Sequence, residues 1–154
     1  DRPPDARLAA WVLVRKREHS VVVGAGSPAF VLARRLAATR PTVLVGSGIA
    51  SDVARRHAVR VVDGDPTDEA PLRAAGVRGA AQVFALDDSG AVNASVALLV
   101  RSLNQADVTV YARADEGELV AALRARRLSV DGRNGYRLDF FSIEDVAAGR
   151  ALIR

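Results

Sequence analysis

The chain has 154 residues, 49% of them hydrophobic, which is the length of one ordinary domain with enough apolar residues to bury a core. Its net charge of +4 rests on scattered arginines, with Lys16 the lone lysine, and the densest basic stretch, VRKRE, lacks the interleaved aromatics of a base-stacking surface; this argues against nucleic-acid binding. With no cysteine there is no disulfide or thiolate metal site, and no apolar run reaches the roughly 18 residues of a membrane-spanning helix.

Aromatic residues make up only 5% of the chain, so packing falls to Ala, Val and Leu. The chain lacks methionine, even at position 1, and opens without a charged-then-apolar leader. It therefore reads as a piece of a longer or processed protein, and the absence of cysteine fits the cytoplasm. Residues 1–19, with DARLAAWVLVRKRE, read as an amphipathic helical linker whose Trp11, Val12 and Leu13 can pack on the domain or on a partner. The domain proper is expected over 20–154.

From Ser20 onward, short apolar runs alternate with longer amphipathic ones, the pattern of a parallel sheet covered by helices. Val21 to Val23 form a first strand, and a helix follows from about Pro28 to Thr39. TVLVG is the second strand and IASDVARRHA its helix. VRVVDGD is the third strand, followed by TDEAPLRAAGV, a short helix with Thr67 as N-cap and Asp68 and Glu69 in its first turn. AQVFALDD is the fourth strand. Ser89 to Asn104 form a helix, with Val92, Val96, Leu99, Val100 and Leu103 at helical spacing. DVTVYAR and its helix EGELVAALRARRL come next. After the turn DGRNG, YRLDFFS is a sixth short strand and IEDVAAGRALIR a closing helix. The order predicts a doubly wound, mostly parallel six-stranded α/β sheet of Rossmann type, with helices on both faces.

In such a fold the first strand-to-helix turn lies at the carboxyl end of the sheet, beside the point where strand order reverses. Here that turn is GAGSPA. Gly24 and Gly26 allow a tight turn and close approach of a pyrophosphate, whose charge sits on the amides of the helix N-terminus. Ala29 takes the third position of the fingerprint, and Pro28 falls in the first helical turn, where its missing N–H costs little. A Gly-rich turn also serves any parallel α/β protein as structure alone. An NAD-type ribose is usually held by an Asp or Glu at the end of the second strand. This chain has Gly46, Ser47 and Gly48 there, with Asp52 the nearest following acid. Two readings follow: Ser47 with Arg55 or Arg56 receives the 2′-phosphate of NADP, or the ribose site has decayed and the pocket is empty or differently filled.

Between Val61 and Ala114, Gly64-Asp65, Thr67, Leu72, Ala75-Gly76, Ala81, Asp87-Asp88, Asn93, Leu98-Leu99, Arg101, Leu103-Asn104 and Ala112-Arg113 stand in one order. This string closely resembles the RCK family, the TrkA-N domains that regulate conductance of potassium channels and transporters; the likeness spans roughly Ser20 to Leu128. FFSIEDVAAGRALI is also similar to the strand and helix that end such domains. The resemblance implies a cytoplasmic domain associated with an inner-membrane transport complex. Such a domain binds NAD(P) or another adenine nucleotide and passes its presence to the membrane subunit of a potassium channel or transporter. It implies homodimers, often as rings of dimers. By position it places Gly24, Gly26, Ser27 and Pro28 at the phosphates, Gly46 and Ser47 at the ribose, and Asp65 and Pro66 beside the adenine. Leu86 and Asp87 fall on the diphosphate side, and Arg113 at the mouth of the fifth strand. Family members commonly carry an arginine or other polar residue at the position of Ser27 and an acid at that of Gly46.

Each of these residues also has a plain structural reading. Asp65 closes a tight loop, Asp87 and Asp88 are N-caps for the fourth helix, Asn93 braces a neighbouring loop, and Arg113 pairs with a strand-end carboxylate such as Asp87. His19 and His57 lie at element ends and read as non-catalytic. An NADP-dependent reductase needs a proton donor: Tyr111 lies inside a strand, Tyr136 follows a glycine turn, and Lys16 precedes the first strand. No Ser-His-Asp set or metal cluster has sensible spacing. The sequence therefore points to a nucleotide-sensing domain that is not an enzyme, with a nucleotide-free dimerisation scaffold as the alternative and an oxidoreductase behind both. The apolar stripes of ELVAALRARRL and IEDVAAGRALI favour a dimer.

Overall fold

The computed structural model describes residues 19–105, 107–125 and 135–141. Six strands form one sheet: β1 (Ser20–Val23), β2 (Thr42–Gly46), β3 (Arg60–Asp63), β4 (Gln82–Ala85), β5 (Val108–Arg113) and β6 (Tyr136–Phe141). Their order is β3-β2-β1-β4-β5-β6, and every neighbouring pair is parallel. The sequence reading is thus met, with the sheet wholly parallel. The helices among the described residues are α1 (Ser27–Ala37), α2 (Ser51–Arg56), α3 (Glu69–Ala74), α4 (Gly90–Leu103) and α5 (Glu116–Ala125), with a 3₁₀ turn over Val77–Gly79.

Because the central parallel strands are covered on both faces, β1 and β2 are buried along their whole length, and Val21, Val22 and Val23 are fully buried. Alternation sends Val21 and Val23 into one core with Val83, Val96 and Val110, while Val22 joins Leu44, Ala29 and Ala33 on the other face. Small side chains on α1 bring it close to β1 and β2. The 14-residue α4 is the most deeply set helix, with Ala94, Val96, Ala97 and Val100 fully buried. Each buried valine contributes on the order of 1.5–3 kcal/mol. At the opposite end from the glycine turns, buried Asn104 donates through Nδ2 to the Val77 and Ala80 carbonyls (2.8 and 3.2 Å), fixing the end of α4 to the 3₁₀ turn. Buried His19 bonds the Ala75 carbonyl through Nε2 (3.2 Å), a structural role.

Several local expectations are corrected. Thr67 is not the N-cap of α3: the helix begins at Glu69 with Asp68 in the cap position, and the Thr67 hydroxyl donates to Asp65 Oδ1 (2.7 Å). Asp87 and Asp88 are not the caps of α4. Ser89 is, its Oγ accepting from the Val92 amide (3.2 Å). The helix after β2 is shorter than IASDVARRHA suggests, and TDEAPLRAAGV divides into α3 and the 3₁₀ turn. On α5, Leu119 and Leu123 are buried with Ala94 and Leu98, while Val120 is exposed. Of the helical linker expected over 1–19, residues 1–18 lie outside the described residues, as does the closing helix over 143–154. Among the described residues no helix is long and apolar enough to cross a membrane.

Candidate functional site

The sheet order reverses between β1 and β4, whose following helices leave to opposite faces, so their exit loops part and leave a crevice. Gly24 to Gly26 form one wall. Gly24 has φ +143°, and a Cβ there would stand 2.9 Å from Ala29 Cβ and 3.0 Å from the Leu86 carbonyl oxygen. Gly24 is therefore required by packing, and Ala29 must be small because it lies against it. Gly26 differs. Its φ is −88°, and a Cβ would meet only Pro28 Cδ at 3.7 Å and Asp88 Oδ1 at 3.8 Å. The space beside Gly26 is open. Gly26 is also the N-cap of α1, with no side-chain cap bond, no acid in the first turn and Pro28 at its start. Ser27 and Pro28 are exposed at that helix end. First-turn amides free of side-chain caps, approached across a residue lacking Cβ, suit a phosphate.

The ribose end is more crowded than the sequence suggests. Gly46 is buried, and a Cβ on it would lie 3.1 Å from Ile49 Cδ1, 3.2 Å from the Gly24 carbonyl carbon and 3.3 Å from the Ala25 nitrogen. Ile49 thus leans over the position where a ribose-binding carboxylate would start. A carboxylate does stand nearby, on β3 instead of β2: Asp63, paired with Gly46 in register, accepts from the Gly48 amide through Oδ1 (3.1 Å). Ser47 is exposed at this loop. Of the two arginines read as 2′-phosphate partners, Arg55 forms an exposed ion pair with Asp52 (3.3 Å). Arg56 Nε donates to the Asp52 carbonyl (3.4 Å). Both line a shallow open depression with Asp52.

Asp65 and Pro66 lie in the loop after β3, Pro66 buried and Asp65 exposed. Asp65 Oδ1 accepts from both the Thr67 amide (2.9 Å) and the Thr67 hydroxyl (2.7 Å), closing the loop on itself. The Thr67 backbone bond, then its side-chain bond, hold the carboxyl below the ordinary aspartate range. A carboxyl with a lowered folded-state pKa adds stability that is present above its unfolded value and lost as pH falls through the folded value. Thr67→Ala removes the side-chain bond alone, so NMR titration is expected to find the Asp65 pKa raised part of the way to that of a free aspartate.

Leu86, Asp87 and Asp88 form the opposite wall. The Leu86 amide donates to the Val23 carbonyl (2.8 Å), tying this loop to the glycine turn. The Asp87 carboxylate accepts from the Ser89 amide (3.0 Å). Arg113 does not pair with Asp87 in the manner expected of a strand-end ion pair; its guanidinium reaches the Asp88 main-chain carbonyl (3.4 Å). Asn93 braces this loop, as its plain reading had it. The glycine turn, Leu86, Asp87 and Arg113 therefore gather around one crevice, with Gly46 and Ser47 at one end; Asp65 is turned to its own loop. Sequence reasoning missed Ile49, Asp63 and the Asp88 carboxylate, because their positions depend on loop paths that no spacing encodes.

Of the groups weighed as proton donors, the two tyrosines lie among the described residues and Lys16 does not. Tyr111 stacks on Phe84 (centroids 4.9 Å apart), and the Tyr136 hydroxyl donates to the Ala97 carbonyl (2.7 Å). Among the described residues no cluster of His, Asp or Glu could hold a metal ion.

Comparison with known proteins bears on the family and the fold. The TrkA-N domain family matches residues 20–131. No curated protein matches the chain. Among solved structures, the TrkA-N domain of inner membrane protein ybaL from Escherichia coli is 24% identical with a TM-score of 0.65, over 86% of this chain and 92% of that one. The NAD(P)-binding domain of an exopolyphosphatase-related protein from Archaeoglobus fulgidus is 20% identical with a TM-score of 0.62, over 86% and 93%. The GsuK channel bound to NAD is 23% identical with a TM-score of 0.53, over 84% of this chain but only 25% of the channel. At these identities the likeness is one of fold, while the family match spans most of the sequence: the chain belongs to the TrkA-N domain family, the NAD(P)-binding domains of RCK type.

Proposed function

We propose that this domain is a nucleotide-sensing regulatory domain of a potassium channel or transporter system, binding NAD(P) or a related adenine nucleotide as a signal and not as a hydride source. The observation that carries this reading is the glycine turn. Gly26 leaves open the approach to the start of α1, whose amides lack side-chain caps, while Gly24 is accounted for by packing. A purely structural turn has no need of a second glycine where a Cβ would fit. Family membership and the fold shared with the NAD-bound GsuK channel support the same ligand class. The domain acts as a homodimer or ring of dimers beside a membrane subunit, on the cytoplasmic side of an inner membrane.

A nucleotide-free dimerisation scaffold is the second reading, favoured by Ile49 crowding the ribose end. Thermal melting with a nucleotide panel separates the two. A ligand present at about a thousand times its Kd adds roughly 4 kcal/mol. For a domain of this size that raises Tm by about 10 °C. No rise with NAD, NADH, NADP, NADPH, ATP or ADP would leave the scaffold reading.

A further inference from the structure

Asn93 lies one turn inside α4, fully buried, and all of its side-chain hydrogen-bonding groups converge on the site's far wall. Its Oδ1 accepts from the Asp87 amide (2.9 Å), and its Nδ2 donates to the Asp87 carbonyl (2.9 Å) and to the Arg113 carbonyl (2.8 Å). The amide orientation is dictated by these partners, since an N–H faces the oxygen and two carbonyls face the nitrogen. One side chain therefore clamps both main-chain polar groups of Asp87 and joins them to the end of β5. Two further links run in parallel. Arg113 donates to the Asp88 carbonyl, and a Cβ on Gly90 would overlap the Glu118 carboxylate, so Gly90 lets the start of α5 close against the start of α4. Glu118 is itself held by reciprocal bonds with Asp115: the Asp115 amide donates to Glu118 Oε1 (2.9 Å) and the Glu118 amide to Asp115 Oδ1 (2.7 Å).

We infer that Asn93 is a positioning residue for nucleotide binding: without touching the ligand, it holds the Leu86–Asp88 wall at the distance from the glycine turn that a diphosphate requires, and it makes that wall move as one body with the β5–α5 corner. The inference rests on the proposed nucleotide site and deepens it. A helix needs no asparagine here for its own sake, since Ser89 already caps α4. All three of the side chain's bonds go to the crevice loop and the strand end beside it. A buried group with every donor and acceptor satisfied fixes a unique geometry, and a carboxylate in its place would face two carbonyl oxygens.

The test is calorimetric titration of wild type, Asn93→Asp and Asn93→Ser with NADPH and NADH, well below the Tm of each protein, together with NMR of the wild-type Asn93 side-chain amide and the Asp87 amide during the same titration. At such temperatures the folded fraction is near one, so lost stability alone does not move Kd. We expect both variants to bind at least tenfold more weakly and the Asn93 and Asp87 resonances to shift as nucleotide fills the site. Wild-type binding with either variant within twofold of it would overturn the inference while leaving the nucleotide reading intact. If neither variant folds, unshifted Asn93 and Asp87 resonances in nucleotide-saturated wild type would overturn it equally. Wild type that binds neither dinucleotide would overturn the nucleotide reading and this inference with it.

Discussion

Gly24→Ala is expected to destabilise the fold severely, while Gly26→Val, two residues away, leaves the fold nearly intact and abolishes nucleotide binding. At Gly24 an added Cβ meets Ala29 Cβ at 2.9 Å and the Leu86 carbonyl at 3.0 Å, on a backbone at φ +143°. Backbone strain of about 1–3 kcal/mol and overpacking of about 1–3 kcal/mol both apply. Together they approach half of the roughly 5–15 kcal/mol that holds a domain folded. At Gly26 the backbone is ordinary and the nearest contacts are 3.7 and 3.8 Å, so the cost is that of a poor N-cap, about 1 kcal/mol. The valine side chain, however, takes up the space a phosphate needs at the α1 amides. Losing two charge-assisted bonds of about 1.5–3 kcal/mol each lowers affinity by more than about a hundredfold. Urea melts and titration of both variants check the pair. A Gly26→Val protein that binds as tightly as wild type would make the second glycine a matter of structure alone.

The second large effect concerns the ribose end. The wild type is expected to prefer NADP(H) to NAD(H), since no carboxylate projects from the end of β2 and Ser47 is exposed to donate to a 2′-phosphate. Gly46→Asp supplies the missing acid, but its Cβ must displace Ile49 Cδ1 from 3.1 Å, and the backbone of Gly24 and Ala25 at 3.2 and 3.3 Å gives less readily. The single variant is therefore expected to lose about 1–2 kcal/mol of stability through overpacking. Adding Ile49→Ala removes the movable part of the crowding. The double variant is expected to recover part of that loss and to prefer NAD(H), each ribose bond to the new carboxylate contributing about 1.5–3 kcal/mol, a swing of more than tenfold. Titrations of the single and double variants with all four dinucleotides check this. An unchanged preference in a folded double variant would remove position 46 from the recognition of the ribose.

The sheet was legible because parallel strands buried on both faces must be short and wholly apolar, and Val21–Val23 and Val43–Val45 leave little choice. The long α4 was legible from helical spacing, and Asn93 from its place beside the strand-end loop. Loop chemistry was less so. In DPTD and DDSG several adjacent side chains can each cap, close a turn or face solvent, and the sequence assigned the caps to Thr67 and to Asp87 and Asp88 where the fold uses the positions of Asp68 and Ser89. Ile49 and Asp63 reach the ribose end only through the path of the Ser47–Ala50 loop and the β2–β3 register. An empty position at the end of β2 was read from the sequence, but what stands around it was a matter of three-dimensional packing.

The most direct measurement of the central claim is calorimetric titration of the wild-type chain and Gly26→Val with NAD, NADH, NADP, NADPH, ATP and ADP. The account predicts saturable one-to-one binding of at least one of these nucleotides by the wild type, with NADP or NADPH ahead of NAD or NADH, and no binding by a Gly26→Val protein that remains folded. Absence of binding by the wild type across the whole panel, or binding that Gly26→Val leaves unchanged, would contradict it.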